Sequence, residues 1–156
     1  MKIYVASSWR NEHYPEVVQA IRSAGHQVYD FRNPKEHVQE RDQGFHWKDI
    51  DSDWKSWSPA QFIEALTHPL AKAGYQSDQD ALDAADATVL VMPCGRSAHL
   101  ELGYAAGQGK PTIILLSDGE PELMYKMAHC LVTSVEDVLT ALDGLASGPG
   151  PGRLKH

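Results

Sequence analysis

Residues 85–103 read ADATVLVMPCGRSAHLELG and point to one arrangement of strand, turn and helix. The apolar run at 88–92 is typical of a buried strand, and Gly95 marks a short turn after it. From Ser97 onward the spacing is helical, and this helix carries a carboxylate, Glu101, about one turn from its start. A carboxylate among apolar and small neighbours costs free energy unless it is paired or used in chemistry.

The segments on both sides of this stretch continue the alternation of strands and helices. Strands are predicted at residues 2–6, 27–31, 88–92, 111–116 and 130–133, and helices at 15–24, 58–72, 78–85, 97–108, 120–127 and 135–145. Strands that alternate with helices are typical of a parallel sheet with helices on both faces. We therefore predict an α/β, doubly wound, flavodoxin-like sheet of five strands in the order 2-1-3-4-5.

Length and composition favour a single domain. The chain has 156 residues, of which we assign 1–146 to one domain and the Gly/Pro-rich residues 147–156 to a disordered tail. The formal charge of −7 argues against a polymeric nucleic acid as partner. Two cysteines make no disulfide framework, so we expect a cytoplasmic protein, and no signal peptide or membrane span is recognisable in the sequence.

Two loops are the predicted place of a ligand. In this strand order, ligands bind beyond the carboxyl ends of the first and third strands, where the order reverses. The loops there, residues 7–11 and 94–97, are also the most polar and turn-rich loops of the chain. These side chains could be ordinary loop residues, but a helix N-terminus and arginine both suit a phosphate, and Trp9 could stack on a base. The predicted substrate-binding residues are Ser7, Ser8, Trp9, Arg10, Gly95, Arg96 and Ser97.

Two acids, Glu101 and Asp78, are the candidate catalytic residues. A pair of carboxylates at the open edge of a sheet supplies the groups that cleave a glycosidic bond. Glu101 could instead be a solvated helix residue, and Asp78 could be a helix-start acid that interacts with the helix dipole. Asp80, Asp83 and Asp86 crowd the same segment, so the pattern alone selects Asp78 weakly, and Asp86 is expected to close the turn before the third strand.

Other motifs carry weaker signals. The first strand is followed by neither Gly-x-Gly-x-x-Gly nor a Gly-Lys-Ser phosphate loop, which argues against dinucleotide oxidoreductases and classical nucleotide kinases. The eight histidines lack metal-ligand spacing, and we expect neither a metal nor an organic cofactor. Cys94 precedes a helix, where a thiolate would be stabilised, but the sequence offers nothing to orient His99 as its base. Residues 32–58 are predicted to form an ordered excursion whose tryptophans are mostly core.

Three blocks of the sequence resemble the nucleoside 2-deoxyribosyltransferase superfamily, which includes nucleoside 5′-monophosphate N-glycosidases. They are KIYVASS at 2–8, DQDALDAAD at 78–86 and, most specifically, GRSAHLELGYAAGQGKP at 95–111. The resemblance implies that Glu101 is the nucleophile, that Asp78 serves the leaving base, and that the loop at 7–10 holds the sugar or phosphate. It also implies a homo-oligomer in which a neighbouring subunit completes the site.

Two departures from the family pattern bear on the reaction. Cys94, Gly95 and Arg96 stand where the transferases often carry an aspartate, and the tail is Gly/Pro-rich where they use a polar residue. Because Arg96 suits a phosphate, we favour hydrolysis of the N-glycosidic bond of a nucleoside or nucleoside 5′-monophosphate through a covalent glycosyl–Glu101 intermediate. Base exchange by a deoxyribosyltransferase, cleavage of NAD and a non-catalytic nucleotide-sensing module stay open as alternatives.

Overall fold

The computed structural model describes residues 1–34, 44–117 and 121–148, and these form two compact units. The first unit contains Met1–Tyr29 and the described residues from Leu82 onward, and the second contains the described residues from Asp30 to Ala81. Most of the predicted tail, 149–156, and part of the predicted excursion, 35–43, lie outside the described residues. The assignment of 1–146 to one domain stays a prediction.

The described part of the first unit is built on a five-stranded parallel sheet in the predicted order, β2-β1-β3-β4-β5. Its strands are β1 (Lys2–Ala6), β2 (Gln27–Tyr29), β3 (Ala87–Val91), β4 (Thr112–Leu115) and β5 (Cys130–Val132). In the register of the central strands, Tyr4 lies beside Tyr29 on one side and beside Thr88 on the other. The predicted flavodoxin-like topology is confirmed.

Five α-helices lie within the described ranges. They are α1 (Tyr14–Ser23), α2 (Pro59–Ala65), α3 (Pro69–Ala84), α4 (Arg96–Gly107) and α5 (Val135–Ser147). Pro15 lies in the first turn of α1, and Gly25, with a φ of 88°, follows its end as the sequence predicts. Ser134 caps α5 by accepting the backbone N–H of Asp137 at 3.1 Å. The helix predicted at 120–127 is a 3-10 helix over Leu123–Met127.

Apolar side chains on both faces of the sheet form the core of the first unit. All five residues of β3 are buried, as expected for a central strand that helices cover on both faces. Val17 and Ile21 of α1 and Leu142 of α5 are buried, and these two helices contact each other. α4 packs on β1, β3 and β4, with Ala105 fully buried. Each buried side chain of valine or leucine size contributes about 1.5–3 kcal/mol, so this packing sets the position of α4.

The connection of the strands places two loops side by side. β2 lies on one side of β1, whereas β4 and β5 follow β3 on the other side. Because crossovers between parallel strands are right-handed, α1 and α4 cover opposite faces of the sheet. The loops that follow β1 and β3 therefore leave from neighbouring strand ends. We call the region beyond these strand ends the crevice, because such folds bind ligands there.

The second unit packs aromatic rings against one another. Trp47 meets Phe45, Trp57 and Phe62 edge to face, with ring centroids 4.9, 5.8 and 5.5 Å apart. The indole N–H of Trp57 donates a hydrogen bond of 2.7 Å to the Asp51 carboxylate. The prediction that most of the tryptophans are core is wrong, because Trp47, Trp54 and Trp57 are only half-buried and Trp9 is 41% exposed. Trp47 and Trp57 pack against neighbouring rings in a partly exposed aromatic cluster.

The single helix predicted at 58–72 is wrong, because the chain forms two helices there. Ser58 and Gln61 make the expected capping box at the start of α2, but α2 ends before Pro69, where α3 begins. Proline has no amide hydrogen and disfavours the helical conformation of the residue before it, so the first helix cannot run through Pro69. α3 then continues without a break and absorbs most of the short helix predicted at 78–85.

Candidate active site

Ser7 joins the loop after β1 to the end of β3. Its hydroxyl donates to the carbonyl oxygen of Val91 at 2.9 Å and accepts the side-chain amide of Asn11 at 3.0 Å. The side chain is half-buried, and its single proton is used inside the protein. Ser7 therefore orders the loop and keeps one oxygen lone pair for its predicted contact with a substrate.

Asn11 organises both loops of the crevice and is only 2% exposed. Its Nδ2 lies 3.0 Å from Ser7 Oγ and 3.2 Å from the carbonyl oxygens of both Val91 and Pro93. Its Oδ1 accepts the backbone N–H of His13 at 2.9 Å, so both ends of the amide are satisfied. From the sequence, Asn11 is only a member of a polar turn. A side-chain amide in a loop at the point where the strand order reverses was the one signal that could have indicated its role.

Ser8, Trp9 and Arg10 form the outer part of the same loop. Ser8 Oγ accepts the backbone N–H of Arg10 at 3.2 Å, which holds the turn. Trp9 is 41% exposed, and Arg10 is exposed. An accessible indole can stack on a base and a guanidinium can bind a phosphate, so the substrate-binding roles of this loop stay predictions with suitable geometry.

The start of α4 faces the same crevice from the β3 side. Gly95 is its N-cap, in an extended conformation with φ −96° and ψ −175°, and glycine has no side chain to cap the first amides. Arg96 and Ser97 are exposed, whereas Ala98 is buried. A helix N-terminus beside an exposed arginine suits an anion, which is the predicted role of Gly95, Arg96 and Ser97.

Glu101 lies in the second turn of α4 and is half-buried. Its helix neighbours Ala98, Leu102 and Ala105 are buried, so Glu101 is not a fully solvated helix residue. Burial first, and the negative charge of Glu101 second, raise the pKa of the Cys94 thiol to about 11. The Glu101 carboxylate therefore acts on the loop between β3 and α4, next to the predicted substrate-binding residues.

The helix start does not stabilise a thiolate at Cys94, because the raised pKa keeps this thiol protonated at neutral pH. His99 is oriented, contrary to the sequence analysis. Its Nδ1 lies 2.9 Å from the Gly95 carbonyl oxygen and 3.5 Å from Cys94 Sγ, and its Nε2 lies 2.9 Å from the Tyr125 hydroxyl. No sequence pattern links Tyr125 to His99, since they are distant along the chain. The protonated thiol argues against a nucleophilic Cys94–His99 pair.

Asp78 lies in the middle of α3 and not at a helix start. The prediction that Asp78 lies in the first turn of a short helix is wrong, because α3 already begins at Pro69. Its side chain is half-buried, and an interaction with the helix dipole does not explain an acid in mid-helix. Asp78 belongs to the second unit and Glu101 to the first, and their use in one reaction is part of the proposal below.

The three other acids of this segment are exposed, and each accepts a hydrogen bond from the protein. The donors are Gln76 Nε2 to Asp80 at 2.6 Å, the Tyr104 hydroxyl to Asp83 at 2.8 Å, and the backbone N–H of Lys2 to Asp86 at 2.7 Å. The backbone N–H of Asp86 donates in return to the Lys2 carbonyl at 2.8 Å. This exchange ties Asp86 to the start of β1. The catalytic role of Asp78 stays a prediction.

Metal-ligating side chains do not gather in the described part of the chain. There, no group of three or more His, Cys, Asp or Glu side chains is placed to hold a metal ion. Both cysteines, Cys94 and Cys130, are free thiols. Across the same described ranges, no helix is long and apolar enough to span a membrane.

Comparison with known proteins gives the fold. A scan of family models and a search of curated proteins yield no match. The chain is similar to a solved 2-deoxyribosyltransferase from the psychrotolerant bacterium Bacillus psychrosaccharolyticus, with TM-score 0.60 and 22% identity over 89% of this chain and 90% of that chain. It is also similar to the CMP N-glycosidase BcmB of Clostridium botulinum, with TM-score 0.49 and 16% identity over 92% and 99%. The first likeness confirms the predicted fold.

Proposed function

We propose that this protein cleaves the N-glycosidic bond of a nucleoside or nucleoside 5′-monophosphate, with Glu101 as nucleophile and water as the favoured acceptor. The observation that carries the proposal is the half-buried Glu101 carboxylate, whose charge acts on the loop after β3 at the reversal of strand order. The fold shared with a 2-deoxyribosyltransferase supports the same chemistry.

The reaction uses two carboxyl groups in turn. The Glu101 carboxylate attacks the anomeric carbon C1′, the bond from C1′ to the base nitrogen breaks, and its electron pair leaves with the base. Asp78, in its protonated form, gives the departing base a proton, and a glycosyl ester on Glu101 remains. Water then attacks C1′, and the ester bond from C1′ to the Glu101 oxygen breaks, with its electron pair returning to the Glu101 carboxylate. Asp78 accepts the proton of the water, so the sugar is released and both carboxyl groups are restored.

The loops of the crevice supply the contacts with substrate. The exposed guanidinium groups of Arg10 and Arg96 suit a 5′-phosphate, together with the amides at the start of α4. The accessible indole of Trp9 suits a base, and Ser8 and Ser97 offer hydroxyls to the sugar or phosphate. We further propose that the protein is a cytoplasmic homo-oligomer that acts on small molecules without a cofactor.

A Glu101→Gln variant tests the nucleophile. We expect base release to fall by at least about a thousandfold with the fold intact, because an amide cannot form the glycosyl ester. High-performance chromatography of the free base measures the rate, and circular dichroism checks the fold. Glu136→Gln, which alters an exposed glutamate in the first turn of α5, is the control and should keep its activity. Undiminished turnover by Glu101→Gln would remove the proposed nucleophile.

One substrate panel separates the proposed hydrolysis from its alternatives. Nucleosides, nucleoside 5′-monophosphates and NAD are incubated with the protein, with and without a second base. Base release in water alone supports hydrolysis, whereas release that needs the second base indicates a transferase, which the fold shared with a 2-deoxyribosyltransferase favours as second candidate. Nicotinamide from NAD indicates a third activity, and ligand binding without base release indicates a sensing module.

A further inference from the structure

Tyr125 reaches both sides of the loop that leads into α4. It lies on the 3-10 helix Leu123–Met127, between β4 and β5. Its hydroxyl oxygen is 2.9 Å from His99 Nε2, on the first turns of α4, and 3.6 Å from Met92 Sδ, just after β3. The tyrosine and histidine rings also stack, with centroids 5.8 Å apart and planes 15° from parallel.

The contact with Gly95 assigns the proton of a neutral His99 ring to one of its two nitrogens. Nδ1 lies 2.9 Å from the carbonyl oxygen of Gly95, which can only accept a hydrogen bond, so Nδ1 is the protonated nitrogen of the neutral ring. Nε2 then has a lone pair and accepts the Tyr125 hydroxyl. The hydrogen bonds run in one direction, from Tyr125 to His99 and from His99 to Gly95, the N-cap of α4.

We propose that Tyr125, acting through His99, is a positioning residue that holds the start of α4 in place for the reaction at Glu101. The inference rests on the proposed function. Asn11 holds the same loop from the side of β1, through the carbonyl oxygens of Val91 and Pro93. The loop between β3 and α4 is thus held by Asn11 on one side and by Tyr125 on the other. A displacement of α4 would move the Glu101 carboxylate relative to the anomeric carbon C1′.

The Tyr125→Phe variant tests this role, with Tyr104→Phe as a matched control. The control removes a hydroxyl that also bonds to a side chain, Asp83, at 2.8 Å, but away from the loop. We expect Tyr125→Phe to lower kcat about tenfold with KM changed less than about twofold, since the bond positions the nucleophile and does not bind substrate. His99→Gln keeps an acceptor for Tyr125 and should retain more activity than His99→Leu. Equal kcat values for the two tyrosine variants would overturn the proposal.

A second readout does not depend on catalysis. Nitrogen-15 NMR of the imidazole at about pH 8 should show the Nδ1–H tautomer of His99 in the wild type. Hydrogen exchange of the amides at 94–99 should quicken about tenfold in Tyr125→Phe and stay unchanged in Tyr104→Phe. If the wild type releases no base from any substrate, the proposed function fails, and these two measurements still decide the role of Tyr125. An Nε2–H tautomer or equal exchange in both variants would contradict it.

Discussion

Asn11 shows how much of the crevice depends on one buried side chain. Its amide serves acceptors in both loops, and alanine would leave the buried Val91 carbonyl without this donor. We expect Asn11→Ala to lower the free energy of unfolding by about 1–3 kcal/mol, measured by urea denaturation. Gln19→Ala, which removes an exposed hydrogen bond of 3.3 Å to Ser23, should change it by no more than about 0.5 kcal/mol. Equal losses of stability in the two variants would contradict the role of Asn11 in joining the two loops.

The Cys94 thiol reports on Glu101. Because burial and the Glu101 charge raise the pKa of Cys94 to about 11, the reactive thiolate becomes abundant only near that pH. We expect the rate of iodoacetamide modification of Cys94 to keep rising with pH up to about 11. In Glu101→Gln the pKa should fall, since removal of a nearby negative charge favours the thiolate. Peptide mass spectrometry follows Cys94 separately from Cys130, and an unchanged pH profile in the variant would place the carboxylate away from the loop.

At the residue scale, the sequence located the loops better than it located the contacts within them. Glu101, Ser7 and Arg96 were chosen as candidates because strand ends and helix starts can be read from local pattern and fold topology, and their roles stay predictions. Tyr125 and the role of Asn11 were missed, because each depends on which distant atom its side chain meets. The raised pKa of Cys94 could not be predicted for the same reason, since burial depends on neighbours from other segments.

At the scale of elements, two helical glycines differ in the space around them: Gly74 is closely packed and Gly144 is not. In α3, a Cβ at Gly74 would lie 2.5 Å from the Cβ of Phe45, closer than real side chains approach. We expect Gly74→Ala to cost about 1–3 kcal/mol of stability, because the backbone of Phe45 must move. A Cβ at Gly144 of α5 would meet nothing within 4 Å outside its own helix backbone, so Gly144→Ala should stabilise by up to about 1 kcal/mol. Chemical denaturation measures the change in the free energy of unfolding, which should be a loss for Gly74→Ala and a gain for Gly144→Ala. Stabilisation by Gly74→Ala would contradict the close packing of Gly74 against Phe45.

The order of helices and strands was largely predictable, and their boundaries less so. The apolar run of β3 and the caps Ser58 and Ser134 gave correct element starts, because these signals are local. The break at Pro69 was also a local signal, and the sequence analysis ran the helix through it. The position of Asp78 in mid-helix followed from that break.

At the scale of the whole molecule, a formal charge of −7 means that a phosphate must be held by local groups. Under the proposed function, a nucleoside 5′-monophosphate at a hundred times its Kd should stabilise the fold by about 2.7 kcal/mol. Arg96→Ala should reduce this gain more for the monophosphate than for the matching nucleoside. Thermal-shift titrations in the Glu101→Gln background, which prevents turnover, measure both ligands.

The control for this titration is Lys2→Ala. Lys2 is exposed at the amino end of β1, whereas the substrate loops follow the carboxyl ends of the strands. Lys2→Ala changes the net charge by the same amount as Arg96→Ala. The Lys2 variant should keep the preference for the monophosphate. If Arg96→Ala weakened both ligands by the same factor, the phosphate contact assigned to Arg96 would be wrong.

Local pattern along the chain was enough to predict the alternation of strands and helices of a parallel sheet and its polar loops. The strand order was taken from the commonest arrangement of such sheets, and the structure confirms it. Hydrophobic period and turn residues act over a few positions, and the right-handed crossover rule converts them into a topology. The polar contacts of the crevice required the folded chain, because they join atoms far apart in sequence. Asn11 meets Val91 across 80 residues, and Tyr125 meets His99 across 26. Such pairs, and the burial that raises the pKa of Cys94, arise only when separate segments pack together.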